Sequence, residues 1–145
     1  MRHPWLAGLA LAAALAAPAS AWETPARGTQ LRTDLMDVLR AHAEWWLGAP
    51  VEFVVSDLRV SGDVAFASVL AQRPGGIPID MATAPGAIGG ALDPDTGDVP
   101  VVQALMQRSG RMWVGVHVAI EPTDLWYAWD GYCRLWAPVL PEYCD

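Results

Sequence analysis

Two short turns, Ser61-Gly62-Asp63 and Ser109-Gly110, each divide a pair of apolar runs of strand length, and no other feature restricts the fold so strongly. Val51 to Val60 and Val64 to Gln72 flank the first turn; Val101 to Arg108 and Arg111 to Ile120 flank the second. Runs of that length joined by so few residues fold back on themselves, so each set predicts an antiparallel hairpin. In the first run the alternation Val51/Phe53/Val55 changes parity before Leu58/Val60, which predicts a bulge near Ser56-Asp57.

Ahead of the hairpins, Leu31, Leu35, Val38, Leu39, Trp45 and Trp46 recur near a helical period between Thr29 and Leu47, while Arg32, Asp37, Arg40 and Glu44 take the other faces. Thr29 is placed to cap this helix, and Gly48 followed by Pro50 stops it. Between the hairpins, Arg73 to Pro100 holds so much Pro and Gly that it predicts a long loop without persistent helix or strand. Loops of that length in compact domains are more often functional or mobile than simple connections. The class is therefore α+β.

A two-residue turn at Ser109-Gly110 sets Met106 opposite Trp113, Ala104 opposite Gly115 and Val102 opposite His117 on one side of the second hairpin. Leu105, Met112, Val114, Val116 and Val118 form the other side, an apolar stripe suited to the helix. The first side then needs a cover: the C-terminal tail, a second copy of the chain in a homodimer, or a ligand. Trp113, Met106 and His117 are pocket candidates on that basis.

The tail from Glu121 carries Trp126, Tyr127, Trp129, Tyr132, Trp136 and Tyr143. A short helix is expected over Asp124 to Asp130, closed by Gly131, with extended chain through Pro138 and Pro141. Rings in this number either complete a small core or offer a stacking platform for a glycan, with Trp126, Trp129 and Trp136 as its members.

The N-terminus reads as an address. Arg2 precedes an apolar run from Leu6 to Ala17, and Ala19-Ser20-Ala21 is a small-residue cleavage signal, so residues 1–21 are expected to be a secretory signal peptide. Residues 22–145 would be one exported domain, periplasmic or secreted, with no stable membrane anchor after cleavage. The only two cysteines, Cys133 and Cys144, are expected to pair as a disulfide stapling the tail in an oxidising compartment. Sixteen Asp and Glu against nine Arg and no Lys give a net charge of −7, which excludes a basic nucleic-acid binder.

Catalytic signatures are thin. Past the leader there are only His42 and His117, too few for a His-rich metal site, and neither G-x-S-x-G nor a phosphate-cradling glycine loop occurs. Asp93-Pro94-Asp95-Thr96-Gly97-Asp98 has the wrong register for a calcium loop and reads as a turn. Arg73, leaving a strand for the long loop, is placed to bind a carboxylate or phosphate or to pair with a surface acid. No cofactor and no metal site are expected.

The order helix, hairpin, long loop, hairpin, with Phe53-x-x-x-x-Leu58-Arg59-Val60-x-Gly62-Asp63-x-Ala65-Phe66 and then Ala104-Leu105 to Trp113-x-Val, resembles small exported bacterial proteins of cystatin-like or NTF2-like shape. The resemblance implies one long N-terminal helix packed on a curved antiparallel four-stranded sheet. The protease-contacting Q-x-V-x-G hairpin of true cystatins has no counterpart at Val101-Val102-Gln103-Ala104-Leu105, which speaks against protease inhibition. The expectation is a non-catalytic exported binding or accessory domain with a small-molecule or protein partner. The alternatives are an NTF2-like enzyme whose pocket holds His117, Asp57 and Arg59, and glycan or peptidoglycan binding through the tail tryptophans.

Overall fold

The computed structural model describes residues 21–97 and 99–144. The expected signal peptide lies outside the described residues, except for Ala21. Among the described residues, no helix is long and apolar enough to cross a membrane.

Helix α1 spans Gln30–Leu47. The Thr29 hydroxyl accepts the Arg32 N–H at its start, and Gly48, at φ 78°, takes the chain out of the helix at its end. Leu35, Leu39, Ala43 and Leu47 fall on one face at four-residue spacing and are fully buried. Strands β1 (Glu52–Ser61), β2 (Val64–Gln72), β3 (Val101–Ser109) and β4 (Met112–Ile120) form one antiparallel sheet in the order β1-β2-β3-β4.

Two steps in register decide which side chains face which layer. The first lies between Val55 and Asp57, where parity predicted it, and puts Phe53, Val55, Leu58 and Val60 against the same core. The second corrects the expected pairing of the second hairpin. Ser109 pairs with Met112, so the turn is one residue later than expected, with Gly110 at φ 60° as its first member. Met106 pairs with Gly115 rather than Trp113, and after a shift between Leu105 and Met106, Leu105 pairs with His117. The extra residue reverses the outer half of β4. Trp113, Gly115, Val118 and Ile120 share one face, and His117 goes to the other.

The predicted roles of the two faces are exchanged as well. α1 packs on the side carrying Ala65, Ala67, Val69, Ala71, Val102, Ala104 and Met106. Small side chains let the helix approach closely: a Cβ at Gly115 would lie 3.0 Å from His42 Nε2. The surface expected to need a subunit or ligand is thus covered by α1. Leu105 lies instead under the tail with Val64, Phe66, Tyr127, Trp136, Val139 and Leu140, while Met112, Val114 and Val116 remain exposed at the β4 edge.

Inside the long loop, short helical turns interrupt the expected irregular chain: a 3-10 turn at Met81–Thr83 and α2 at Pro85–Ile88. Asp80 caps the former, and Pro85 opens the latter at the position where a missing N–H costs nothing. The tail also departs from expectation. Over Asp124 to Asp130 a single 3-10 turn forms, Trp126–Ala128; helix α3 spans Asp130–Trp136, so Gly131 lies in its first turn rather than closing a helix, and Ala137–Val139 is a 3-10 turn rather than extended chain. Cys133 and Cys144 are disulfide-bonded, with Cα atoms 5.4 Å apart.

Candidate functional site

Adjacent residues on a helix point about 100° apart, and near the end of α1 the side chains of Trp45 and Trp46 diverge. Trp46 packs against the core below α1, whereas Trp45 is 76% exposed. The long loop returns beside them. Gly86, the second residue of α2, has no room for a side chain: a Cβ there would lie 2.8 Å from Leu92 Cδ1 and 3.0 Å from Trp46 Cε3. The Gly86 carbonyl accepts the N–H groups of Ala91 and Leu92, at 2.8 and 3.0 Å, and closes the loop into a wall.

Between these elements is a groove of about 490 Å³ lined by Trp45, Trp46, Pro85, Gly86, Gly89 and Ala91, without a charged residue. It adjoins a recess of about 170 Å³ lined by Trp46, Ala91, Leu92, Val118 and Ile120. Sequence reasoning missed this site because it assigned both tryptophans to the apolar face of the helix and treated the loop as structureless. The available signal was the Trp-Trp pair itself, since rings about 100° apart on a helix face different neighbours.

Arg73 helps to hold the loop base to α1. Its guanidinium donates to the carbonyls of Leu47, Gly48 and Pro50, satisfying the end of the helix that has no basic residue of its own in the last turn. It serves as a cap in this structure rather than as the carboxylate or phosphate ligand considered from the sequence.

The pocket residues expected from the sequence are dispersed. Trp113 and Met106 are buried under α1, on the opposite face from His117. The His117 ring lies 4.6 Å from that of Tyr132 and 5.6 Å from that of Trp136. Arg59 and Asp57 are brought together on β1, where Arg59 Nε donates to both Asp57 oxygens. Its other nitrogens reach Asp57 Oδ2 at 2.7 Å, Glu142 Oε1 at 2.6 Å and the Val139 carbonyl at 3.2 Å, and the guanidinium lies 4.8 Å from the Trp22 ring centroid. The arginine therefore clasps the tail and the N-terminal segment to the sheet.

The charges at the clasp respond accordingly. Burial acts to lower the Arg59 pKa, but hydrogen bonds and charge from Asp57 and Glu142 overcome it and hold the value above normal. For Glu142, burial acts upward, and its backbone hydrogen bond together with Arg59 keeps the carboxyl below its ordinary value. Burial, then a hydrogen bond with Tyr143, pushes the Tyr127 phenol up to about 12.

Of the three tail tryptophans, Trp126 donates to Gln103 Oε1 at 3.0 Å, and buried Trp136 donates to the Met106 carbonyl at 2.9 Å, at the step in register. Trp129 alone of the three is largely exposed, at 64%. The Asp93 carboxylate accepts the Asp95 N–H, making a local turn.

No family model matches the chain, and neither a curated protein nor a solved structure matches it.

Proposed function

We propose that the chain is an exported, non-catalytic binding domain that holds a small apolar ligand in the Trp45/Trp46 groove. The observation that carries this reading is the exposed Trp45 ring beside an uncharged groove of about 490 Å³, a size usual for small-molecule sites. A large aromatic left in water at a concave apolar wall gains by covering its face. Export is supported by the leader-like N-terminal sequence and by the Cys133–Cys144 disulfide. A cystatin-like or NTF2-like shape is supported by the order of one helix and two hairpins around a long loop.

The enzyme alternative asks His117, Asp57 and Arg59 to meet one substrate, yet His117 belongs to β4 and the other two to β1, at opposite edges of the sheet. The glycan alternative retains one well-exposed ring, Trp129. The deciding experiment adds the neutral probe phenylnaphthylamine to the oxidised protein and follows energy transfer from tryptophan. Saturable transfer that added apolar compounds reverse is expected; absence of transfer removes the reading.

A further inference from the structure

Three of the nine basic residues of this acidic chain line a single groove on the other flank of α1. The helix packs toward β4, which leaves a furrow of about 490 Å³ along β1. Arg27, Arg32 and Arg40 share this furrow with one carboxylate, Asp37.

The arginines are incompletely used. Arg40 pairs with Asp37 and donates Nε–H to the Val51 carbonyl at 3.2 Å, and Arg32 donates one N–H to the Pro25 carbonyl at 2.9 Å. Among the described residues, Arg27 makes neither a side-chain hydrogen bond nor an ion pair, and Arg32 pairs with no acid. Guanidinium groups present several donors in a plane, so the furrow retains charge and unused N–H groups that a carboxylate or phosphate would engage. Its floor is apolar: Met36 is buried, and the Arg40 guanidinium lies 5.9 Å from the Phe53 ring centroid.

We propose that this furrow is a second binding site, for a small amphiphilic anion whose acidic head lies between Arg27 and Arg32 and whose apolar body lies along Met36 and Phe53. Because the chain carries a net charge of −7, the local excess of positive charge makes this furrow, rather than the rest of the surface, the place where an anion is drawn. The proposal is independent of the Trp45/Trp46 groove.

The test is calorimetric titration of the full oxidised chain carrying Trp45→Ala, which takes the Trp45/Trp46 groove out of play, with decanoate, decanol and inorganic phosphate. Decanoate is expected to bind more tightly than either of the others and to weaken as salt rises. The double variant Arg27→Gln/Arg32→Gln should weaken decanoate at least about tenfold, as loss of charge-assisted contacts requires, while Arg134→Gln, an exposed tail arginine outside the furrow, leaves it unchanged. Arg27→Glu alone, at an exposed position, gives the same direction without threatening the fold. Equal binding of decanol removes the anionic head from the proposal, and equal binding of phosphate removes the apolar body. Absence of decanoate binding, or an equal weakening of it by Arg134→Gln, overturns the site.

Discussion

Arg59 and His117 stand at the two ends of one row across the tail side of the sheet: Arg59 pairs with Phe66, Phe66 with Leu105, and Leu105 with His117. Three strand spacings separate the ends, about 14 Å. Tyr127 packs over Phe66 with ring centroids 4.8 Å apart, and Trp136 belongs to the same cluster as Leu105. The tail thus fills the space that a shared pocket would need. One end of the row binds the tail by charge and the other by ring contacts.

Arg59→Ala should cost about 2 kcal/mol or more, because it leaves a partly buried Asp57 and the Val139 carbonyl without their donor. Urea denaturation measures it, and Arg59→Lys should recover little because an ammonium cannot reproduce the fork. A loss within experimental error would mean that the clasp does not hold the tail.

Glu142 gives the clasp a pH dependence. Its folded pKa lies below the ordinary value of 4.5, so its stabilising contribution is full above that value and is lost as pH falls through the folded pKa. Thermal melts of the native chain and Glu142→Gln should differ at neutral pH and converge in acid, once the pH has fallen through the lowered folded pKa of Glu142. A gap that persists in acid contradicts the assignment.

Gly115→Ala introduces a methyl group 3.0 Å from both His42 Nε2 and Val118 Cγ2. The crowding should destabilise by about 1–2 kcal/mol. Adding His42→Ala should return part of that loss, which a double-mutant cycle reads directly.

Removing the disulfide with Cys133→Ala/Cys144→Ala should cost about 3 kcal/mol in the chain-entropy view, given a sequence separation of 11. The tail also packs through Trp136, Val139 and Leu140, so the sheet and α1 should remain folded. Circular dichroism together with denaturant titration tests both statements.

The helix, both hairpins and the β1 bulge were legible because each rests on local pattern: Leu35 and Leu39 repeat at helical spacing, and Val55 and Leu58 break strand parity. The faces of β4 were not legible. One unpaired residue near Val116 reverses every side chain beyond it, and nothing in the alternation of Val114, Val116 and Val118 marks where that residue falls. α3 was misjudged because Gly131 was read as a stop; a Cβ there would lie 2.4 Å from the Trp129 ring, so its smallness serves packing. Of the candidate sites, the pairing of Asp57 with Arg59 follows from neighbouring positions on one strand. The Trp45/Trp46 groove depends on where a long loop returns, a contact between distant segments that local spacing does not encode.

The central claim is that the groove beside Trp45 binds. Trp45 is exposed, so Trp45→Ala should leave stability within about 0.5 kcal/mol, and any loss of binding then reports on the site rather than the fold. The measurement is a phenylnaphthylamine titration of the native chain and Trp45→Ala, read from probe emission under direct excitation so that removing one tryptophan does not itself change the signal. At least about a tenfold weaker affinity in the variant is predicted, the cost of losing one stacked aromatic surface. Equal affinity for the two proteins would contradict the account.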